Sequence, residues 1–351
     1  MWKIYKNKIF KFDDKNLNQF LKLDFINSFY QNDKNINNIL FFKNQTIIYA
    51  NSFILDLKKG IKYSNSNLIV KLFLRLVEIR ILFLGNWYLN NFSFFQLIDK
   101  VDVSELVFNL KNKYQAVLVP DILMNQVSNN KNLEFIKLRI EDEMIFKIST
   151  NWKNIEDYKN ALKTKYRKRI NDIINKSSDI LVRPLKNDEL NKYDSRIQEL
   201  FDQVVDKLKF SGPQFNIKIL LSLAKKKKIS VYGYFKNDDL LAFSTYLNHK
   251  KDLVSYYVGY DKLHNNEYSL YSKILYETIR IGIDNQYEKI NFGRTANEFK
   301  SNFGAVPLKS YLYIKFKSRF MHFIFKIILE NTIANKWVQR NPFKKQLYKN
   351  K

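Results

Sequence analysis

The chain has 351 residues, enough for two domains of ordinary size, and its 46% hydrophobic and 16% aromatic content supports a large core and excludes wholesale disorder. Eight Gly and five Pro are too few for a collagenous or linker-rich protein, and the lack of Cys excludes disulfides, thiolate metal sites and a cysteine acyl-enzyme. The net charge of +26 fits either the Lys-, Asn- and Ile-rich composition of an AT-rich genome or polyanionic partners: a nucleotide-bearing cofactor, an acidic carrier protein, tRNA or an anionic membrane.

Residues 1–6 lack a long apolar core and a small-residue cleavage site. The best apolar stretch, 320–329, is too short to span a bilayer and is interrupted by His322 and Lys326. A cytoplasmic chain is expected, with peripheral contact at the inner membrane face left open. Three histidines (His249, His264 and His322) do not suggest a metal site, and no metal ligand is expected. The dinucleotide G-x-G-x-x-G, the phosphate-binding G-x-x-x-x-G-K-[ST] and the G-x-S-x-G elbow are all absent.

In chain order, residues 1–148 alternate short apolar strands with turn clusters. Asn44-Gln45 precedes a strand at 46–49, and Lys58-Lys59-Gly60 marks another turn. Residues 68–83 read as a strand pair or a helix. Gly85-Asn86-Trp87, a helix near 104–113 and a strand at 116–119 stopped by Pro120 follow.

Residues 149–317 form a second domain. Tyr158, Leu162, Tyr166, Ile170 and Ile174 predict one helix over 156–176, whose other face carries Lys159, Lys163, Arg167 and Lys168. The basic face around Lys165, Arg167, Lys168 and Arg169 suits donor phosphate, a tRNA backbone or solvent. Helices at 196–209 and 217–228 come next. Strands at 229–235, 240–247 and 253–258, joined by polar tetrads, predict an antiparallel meander. A loop at 259–266, a helix at 267–281 and a strand at 289–292 then form a crossover that makes the flanking strands parallel. Thr295-Ala296-Asn297-Glu298 fits a capping box for a short helix, and 309–317 alternates as a strand. Residues 318–351 are a basic C-terminal helix and tail, and the segment 340–345 suits an anionic membrane or the body of the protein equally.

The fold class is thus α/β (α+β), with mixed sheets flanked by helices. Strand, Gly-containing loop, helix and strand recur over 80–120 and 253–294, a faint echo of two copies.

Several motifs of the second domain carry a resemblance: Trp152 with Glu156-Asp157-Tyr158, Lys165-Tyr166-Arg167, Gly259-Tyr260-Asp261, Tyr268-Ser269-Leu270-Tyr271, Phe292 to Lys300, and Gly304-Ala305. They resemble the GNAT superfamily, in the FemAB-like bacterial branch related to Fem-type aminoacyl transferases. The resemblance implies tandem GNAT-like acyl-CoA N-acyltransferase lobes, the first degenerate. It also implies transfer of an acyl or aminoacyl group to an amine or hydroxyl, in cell-envelope, lipid or polysaccharide synthesis. Acyl-CoA, acyl carrier protein or aminoacyl-tRNA would be the donor, as a co-substrate with no permanently bound cofactor. A tRNA-dependent aminoacyl transferase and a non-catalytic nucleic-acid or membrane-surface binding protein are the alternatives. The loop 259–266 departs from the usual Q/R-x-x-G-x-G/A pyrophosphate signature.

The donor-binding candidates are Val258, Gly259, Tyr260, Asp261, Lys262, His264 and Asn266, where a loop entering a helix would offer free amides and the positive dipole end. The catalytic candidates are Arg294, Glu298, Lys300 and Tyr271. Arg294 would hold a carboxylate or phosphate, or else pair with Asp261. Glu298 would be a base or simply a helix cap, Lys300 an oxyanion stabiliser and Tyr271 the acid that protonates a leaving thiolate.

Overall fold

The computed structural model describes residues 2–6, 10–33, 35–56, 78–97, 106, 110, 113–126, 134–205, 212–330 and 337–344. The turn at 58–60, residues 68–77, most of the 104–113 helix, the end of the 196–209 helix and the tail from Lys345 lie outside the described residues.

In chain order the elements are β1 (Lys3–Lys6), α1 (Leu23–Asn32), β2 (Asn37–Lys43), β3 (Thr46–Asp56), β4 (Glu78–Phe83), β5 (Phe95–Gln96), β6 (Ala116–Pro120), α2 (Asp121–Met124) and β7 (Ile136–Lys147). There follow α3 (Ile155–Ala161), α4 (Thr164–Lys176), β8 (Leu181–Pro184), α5 (Asn187–Lys192), α6 (Asp194–Val205), α7 (Ile217–Lys225), β9 (Ser230–Lys236), β10 (Asp239–His249) and β11 (Asp252–Tyr260). The last are α8 (Asn265–Tyr268), α9 (Leu270–Asp284), β12 (Lys289–Asn291), α10 (Asn297–Ser301), β13 (Val306–Phe316) and α11 (Arg319–Glu330).

Two compact units are present. Met1–Ile140, Lys209–Leu223 and Ser310–Ala334 form the first; Glu141–Leu208, Ala224–Lys309 and Asn335–Lys351 form the second. Helix α7 lies mostly in the first unit, where Ser222 Oγ meets Ser28 Oγ at 3.2 Å and the Asn216 amide donates to Asn32 O at 2.7 Å.

The strand order in the first unit is β1-β2-β3-β4-β6-β13, and in the second β8-β9-β10-β11-β12-β7. Each runs through three antiparallel steps, then a parallel pair, then a closing antiparallel strand. The echo between 80–120 and 253–294 is the parallel pair of each unit: β4 with β6, and β11 with β12. Both pairs need a crossover, because a parallel partner cannot be reached by a tight turn. The mixed α/β architecture expected from the sequence is therefore observed.

Local chemistry explains the hairpins. Two-residue loops match strand twist only with positive φ at the turn, which Asn tolerates. Asn44 (φ 56°) joins β2 to β3, Asn237 (φ 52°) joins β9 to β10, and Lys250 (φ 56°) joins β10 to β11. Strand β10 is buried along most of its length. The second unit's core gathers Met144, Phe146, Tyr158, Ile279 and Ile290, each fully buried. Every such side chain contributes about 1.5–3 kcal/mol through burial.

Three helix expectations are corrected. The single helix over 156–176 is two, α3 and α4, because Leu162 is extended (ψ 147°) and bridges to Phe343. Residues 161–163 and 342–344 exchange backbone bonds, Lys163 N to Pro342 O at 2.8 Å and Lys344 N to Ala161 O at 3.0 Å. The helix over 267–281 is broken at Ser269 (φ 51°), which separates α8 from α9. The capping box at 295–298 does not form: the residue before α10 is Ala296, in a left-handed conformation with no side-chain cap.

The described part of the C-terminal tail, 337–344, docks on the second unit. Arg340 pairs with Glu298, and Phe343 packs against the core cluster beside Trp152 and Tyr158. Within the described residues no helix is long and apolar enough to cross a membrane.

Candidate active site

The parallel pair β11–β12 is short. Asp252, Leu253 and Val254 pair with Lys289, Ile290 and Asn291, and there the ladder ends. Strand β12 stays with β7, since Phe292 N donates to Met144 O at 2.9 Å and Met144 N to Gly293 O at 3.1 Å. Strand β11 continues six residues further, paired only with β10. The two neighbours therefore part after Val254.

Successive N–H groups of a strand point to opposite edges. The amide of Tyr257 is directed at Thr245 Oγ1 (2.9 Å) and that of Asp261 at Leu241 O (2.8 Å), both on β10. The amides of Val258 and Tyr260 consequently face the opposite edge, where β12 has left. Gly259 sits between them for a packing reason. A Cβ there would fall 2.8 Å from the backbone of Leu200 and Phe201 and 2.3 Å from the Phe243 ring, so α6 could not lie on β11.

The loop after β11 is organised by one carboxylate. Asp261 Oδ1 accepts from the amides of Leu263 (2.9 Å) and His264 (3.3 Å) and contacts His264 Nδ1 at 3.1 Å. Its Oδ2 pairs with Arg196 of α6 at 2.8 Å. Burial raises the Asp261 pKa, but the bonds from Arg196, His264 and the amides outweigh it and hold the carboxyl below its ordinary value. The Lys262 amide donates to Gln203 Oε1 at 2.9 Å. The amides of residues 261–264 therefore all have acceptors within the chain. This corrects the expectation that the loop presents free amides to a phosphate. Asn266 is exposed, and Asn265 Oδ1 caps the start of α9 by accepting from the Tyr271 amide at 2.9 Å.

Tyr271 lies in an aromatic series, with ring centroids 5.6 Å from Tyr260 and 5.3 Å from Phe299. Burial, with Tyr260 adding to it, pushes its phenol pKa well up, so it is protonated at neutral pH. The Arg169 guanidinium of α4 stands over the Phe299 ring at 5.3 Å. Of the basic face 165–169, this side chain reaches the aromatic series.

The turn after β12 is held by Lys300. Its buried Nζ donates to the carbonyl oxygens of Phe292 (2.7 Å), Gly293 (3.2 Å) and Arg294 (2.6 Å). Burial lowers its pKa to about 7, against the opposing pull of Glu141 and Glu143. Gly293 (φ 68°), Thr295 (φ 67°) and Ala296 (φ 50°) supply the left-handed backbone that brings these carbonyls together.

Arg294 turns toward β7. Its Nε donates to Glu141 O at 3.0 Å, and Nη2 lies 3.4 Å from Glu143 Oε1. Glu143 is buried and also accepts from the Asn291 amide at 2.8 Å. Arg294 thus pairs with Glu143, and Asp261 with Arg196. Glu298 neither caps α10 nor stands free: Arg340 and the Val338 amide lower its pKa. Buried Asn297 Oδ1 has no hydrogen-bond partner among the described residues.

Glu143, Arg196 and Gln203 escape a sequence reading focused on 256–304. The available signal was Glu141-Asp142-Glu143, an acidic run inside an apolar strand of a basic chain. No group of three His, Asp or Glu side chains suited to a metal occurs among the described residues.

Residues 209–301 match a family model described as acetyltransferase (GNAT) domain. No curated protein matches the chain. Among solved structures, a conserved protein of unknown function from Bacteroides thetaiotaomicron VPI-5482 is 14% identical with a TM-score of 0.51, over 84% of this chain and 90% of that one. FemX is 9% identical with a TM-score of 0.51, over 89% of this chain and 95% of its own. L-PGS from Bacillus licheniformis is 14% identical with a TM-score of 0.46, over 74% and 86%. At these identities the first two likenesses establish a shared fold.

Proposed function

We propose that this chain, whose residues 209–301 match a GNAT domain and whose fold is shared with FemX, transfers an acyl or aminoacyl group from an activated donor to an amine or hydroxyl acceptor. The observation that carries this reading is the parting of β11 from β12 after Val254, which leaves the Val258 and Tyr260 amides on an open edge.

A donor carbonyl laid along that edge would accept from those two amides, which polarise it and stabilise the oxyanion as it forms. The acceptor's lone pair attacks the carbonyl carbon, and the bond to the donor's leaving group breaks. Tyr271, held protonated by burial, gives its proton to the departing atom and recovers one from the acceptor. Arg294 supplies positive charge at the end of β12 and is assigned the anionic part of a substrate. Lys300, its Nζ directed at the carbonyls of Phe292, Gly293 and Arg294, holds the turn and not an oxyanion. Glu298 is assigned a different task from a base. Its pairing with Arg340 disfavours proton uptake and anchors residues 337–344.

The filled amides of 261–264 favour a donor that is not gripped through a diphosphate at this loop, which speaks for an aminoacyl-tRNA or carrier-protein donor over a free acyl-CoA. The setting would be envelope, lipid or polysaccharide synthesis, as the Fem-type resemblance implies. Thermal-shift titration of the full chain with acyl-CoAs, acyl carrier protein and charged tRNA tests the reading. Stabilisation by an acylated donor exceeding that by its deacylated form supports it, and indifference to all three overturns it.

A further inference from the structure

We propose that α11 and the basic groove at its N-terminal end form a docking surface for an anionic phospholipid bilayer. This inference concerns the first unit alone and does not rest on the catalytic assignment. One side of α11 belongs to the core: Phe325 stacks on Phe316 with ring centroids 4.6 Å apart, and His322 is buried. The other side is apolar as well. Phe320 is 67% exposed, Phe323 63% and Ile327 48%, and their spacing of three and four residues sets them on one face. A surface helix normally carries polar residues there, so an exposed aromatic stripe signals a contact.

Cations border the stripe. Lys317 and Arg319 are exposed, and Lys326 reaches Glu134 at 3.0 Å. Lys317 also lines an open groove of ≈ 420 Å³ with Arg80, Lys113, Glu78 and Ile54. Among the described lining residues, three cations against one carboxylate give a positive balance, and Ile54 adds an exposed apolar side chain. The pairing of an apolar stripe with an adjoining cationic groove matches one class of partner. Acyl chains accept the rings, while headgroup phosphates accept hydrogen bonds from Lys and Arg. The net charge of +26 opposes a second copy of the chain on this face and favours a negative surface.

The full chain should co-sediment with vesicles of equal parts phosphatidylglycerol and phosphatidylcholine, and not with phosphatidylcholine alone. Phe320→Ser combined with Phe323→Ser should lower partitioning by about tenfold or more, because the buried apolar area is lost. Lys113→Gln and Lys317→Gln should each lower it by about fivefold. Phe323→Trp should shift its emission to the blue on the anionic vesicles and be quenched by brominated acyl chains. Binding to neutral vesicles alone, no binding, or binding that none of these substitutions moves would overturn the proposal. So would a dimer in size-exclusion chromatography that Phe323→Ser dissociates, since the occupant would then be a second copy.

Discussion

The ammonium of Lys300 donates to the carbonyl oxygen of Arg294 at 2.6 Å, so the side chain of one candidate residue fixes the backbone of another. The same nitrogen holds the carbonyls of Phe292 and Gly293, the residues at which β12 stays behind while β11 moves away. Lys300 is thus tied to the geometry of the opening.

That position has a pH signature. The folded pKa is about 7, below the ordinary lysine value. Between the two values the unfolded chain binds more protons, so stability rises with pH in this window and is lost as pH falls toward 7. The wild type should gain up to about 1.4 kcal/mol per pH unit relative to Lys300→Met between pH 7 and 10. Urea denaturation at three pH values measures it, and parallel profiles for the two proteins would refute the assignment. At pH 7 the variant itself should be less stable by about 1–3 kcal/mol, since three carbonyls lose their donor.

Arg294 is tied to a buried partner. Arg294→Ala removes the guanidinium 3.4 Å from Glu143 Oε1 together with its bond to Glu141 O, and should cost about 1–3 kcal/mol. Adding Glu143→Gln should restore part of that stability, because the buried carboxylate that faced the guanidinium is now neutral. Activity should stay lost in the double variant if the guanidinium binds substrate. Recovery of turnover together with stability would make Arg294 purely structural.

The strands of the second unit were legible in the residues because hairpin turns are local: Asn237-Asp238 suffices to join β9 to β10. The helix interruptions were not. Leu162 has the right spacing for a continuous helix and leaves it because Phe343, 181 positions later, bridges to it. Thr295 to Glu298 satisfies the capping pattern, yet the left-handed Thr295 and Ala296 put a different residue at the helix start. In the site, the motif residues were found as a segment, but their partners were not. Asp261 depends on Arg196 and Arg294 on Glu143, and such pairings between distant segments leave no mark in local spacing.

Gly259 is a packing requirement. Gly259→Ala would drive a methyl into the backbone of α6 at Leu200 and Phe201, which cannot yield as a side chain can. A loss of about 1–3 kcal/mol is expected from overpacking. Gly293→Ala has room, with Ser255 O at 3.9 Å as its nearest neighbour, and should cost only the left-handed strain of roughly 1 kcal/mol. Thermal melts of the two variants compare a steric with a conformational penalty, and equal losses would contradict the packing account.

Tyr271→Phe separates chemistry from packing at the opening. The ring contacts with Tyr260 and Phe299 survive the substitution, so the melting temperature should scarcely move. If the phenol protonates the leaving group, kcat should fall by about 10²–10⁴ while KM changes little. The deficit should shrink for donors whose leaving group is a weaker base, because a stable anion needs less help to depart. Measuring kcat over donors of graded leaving-group pKa decides the matter. A uniform deficit across the series, or a rise in KM alone, would reduce Tyr271 to a wall of the cleft and leave proton transfer to the donor or to water.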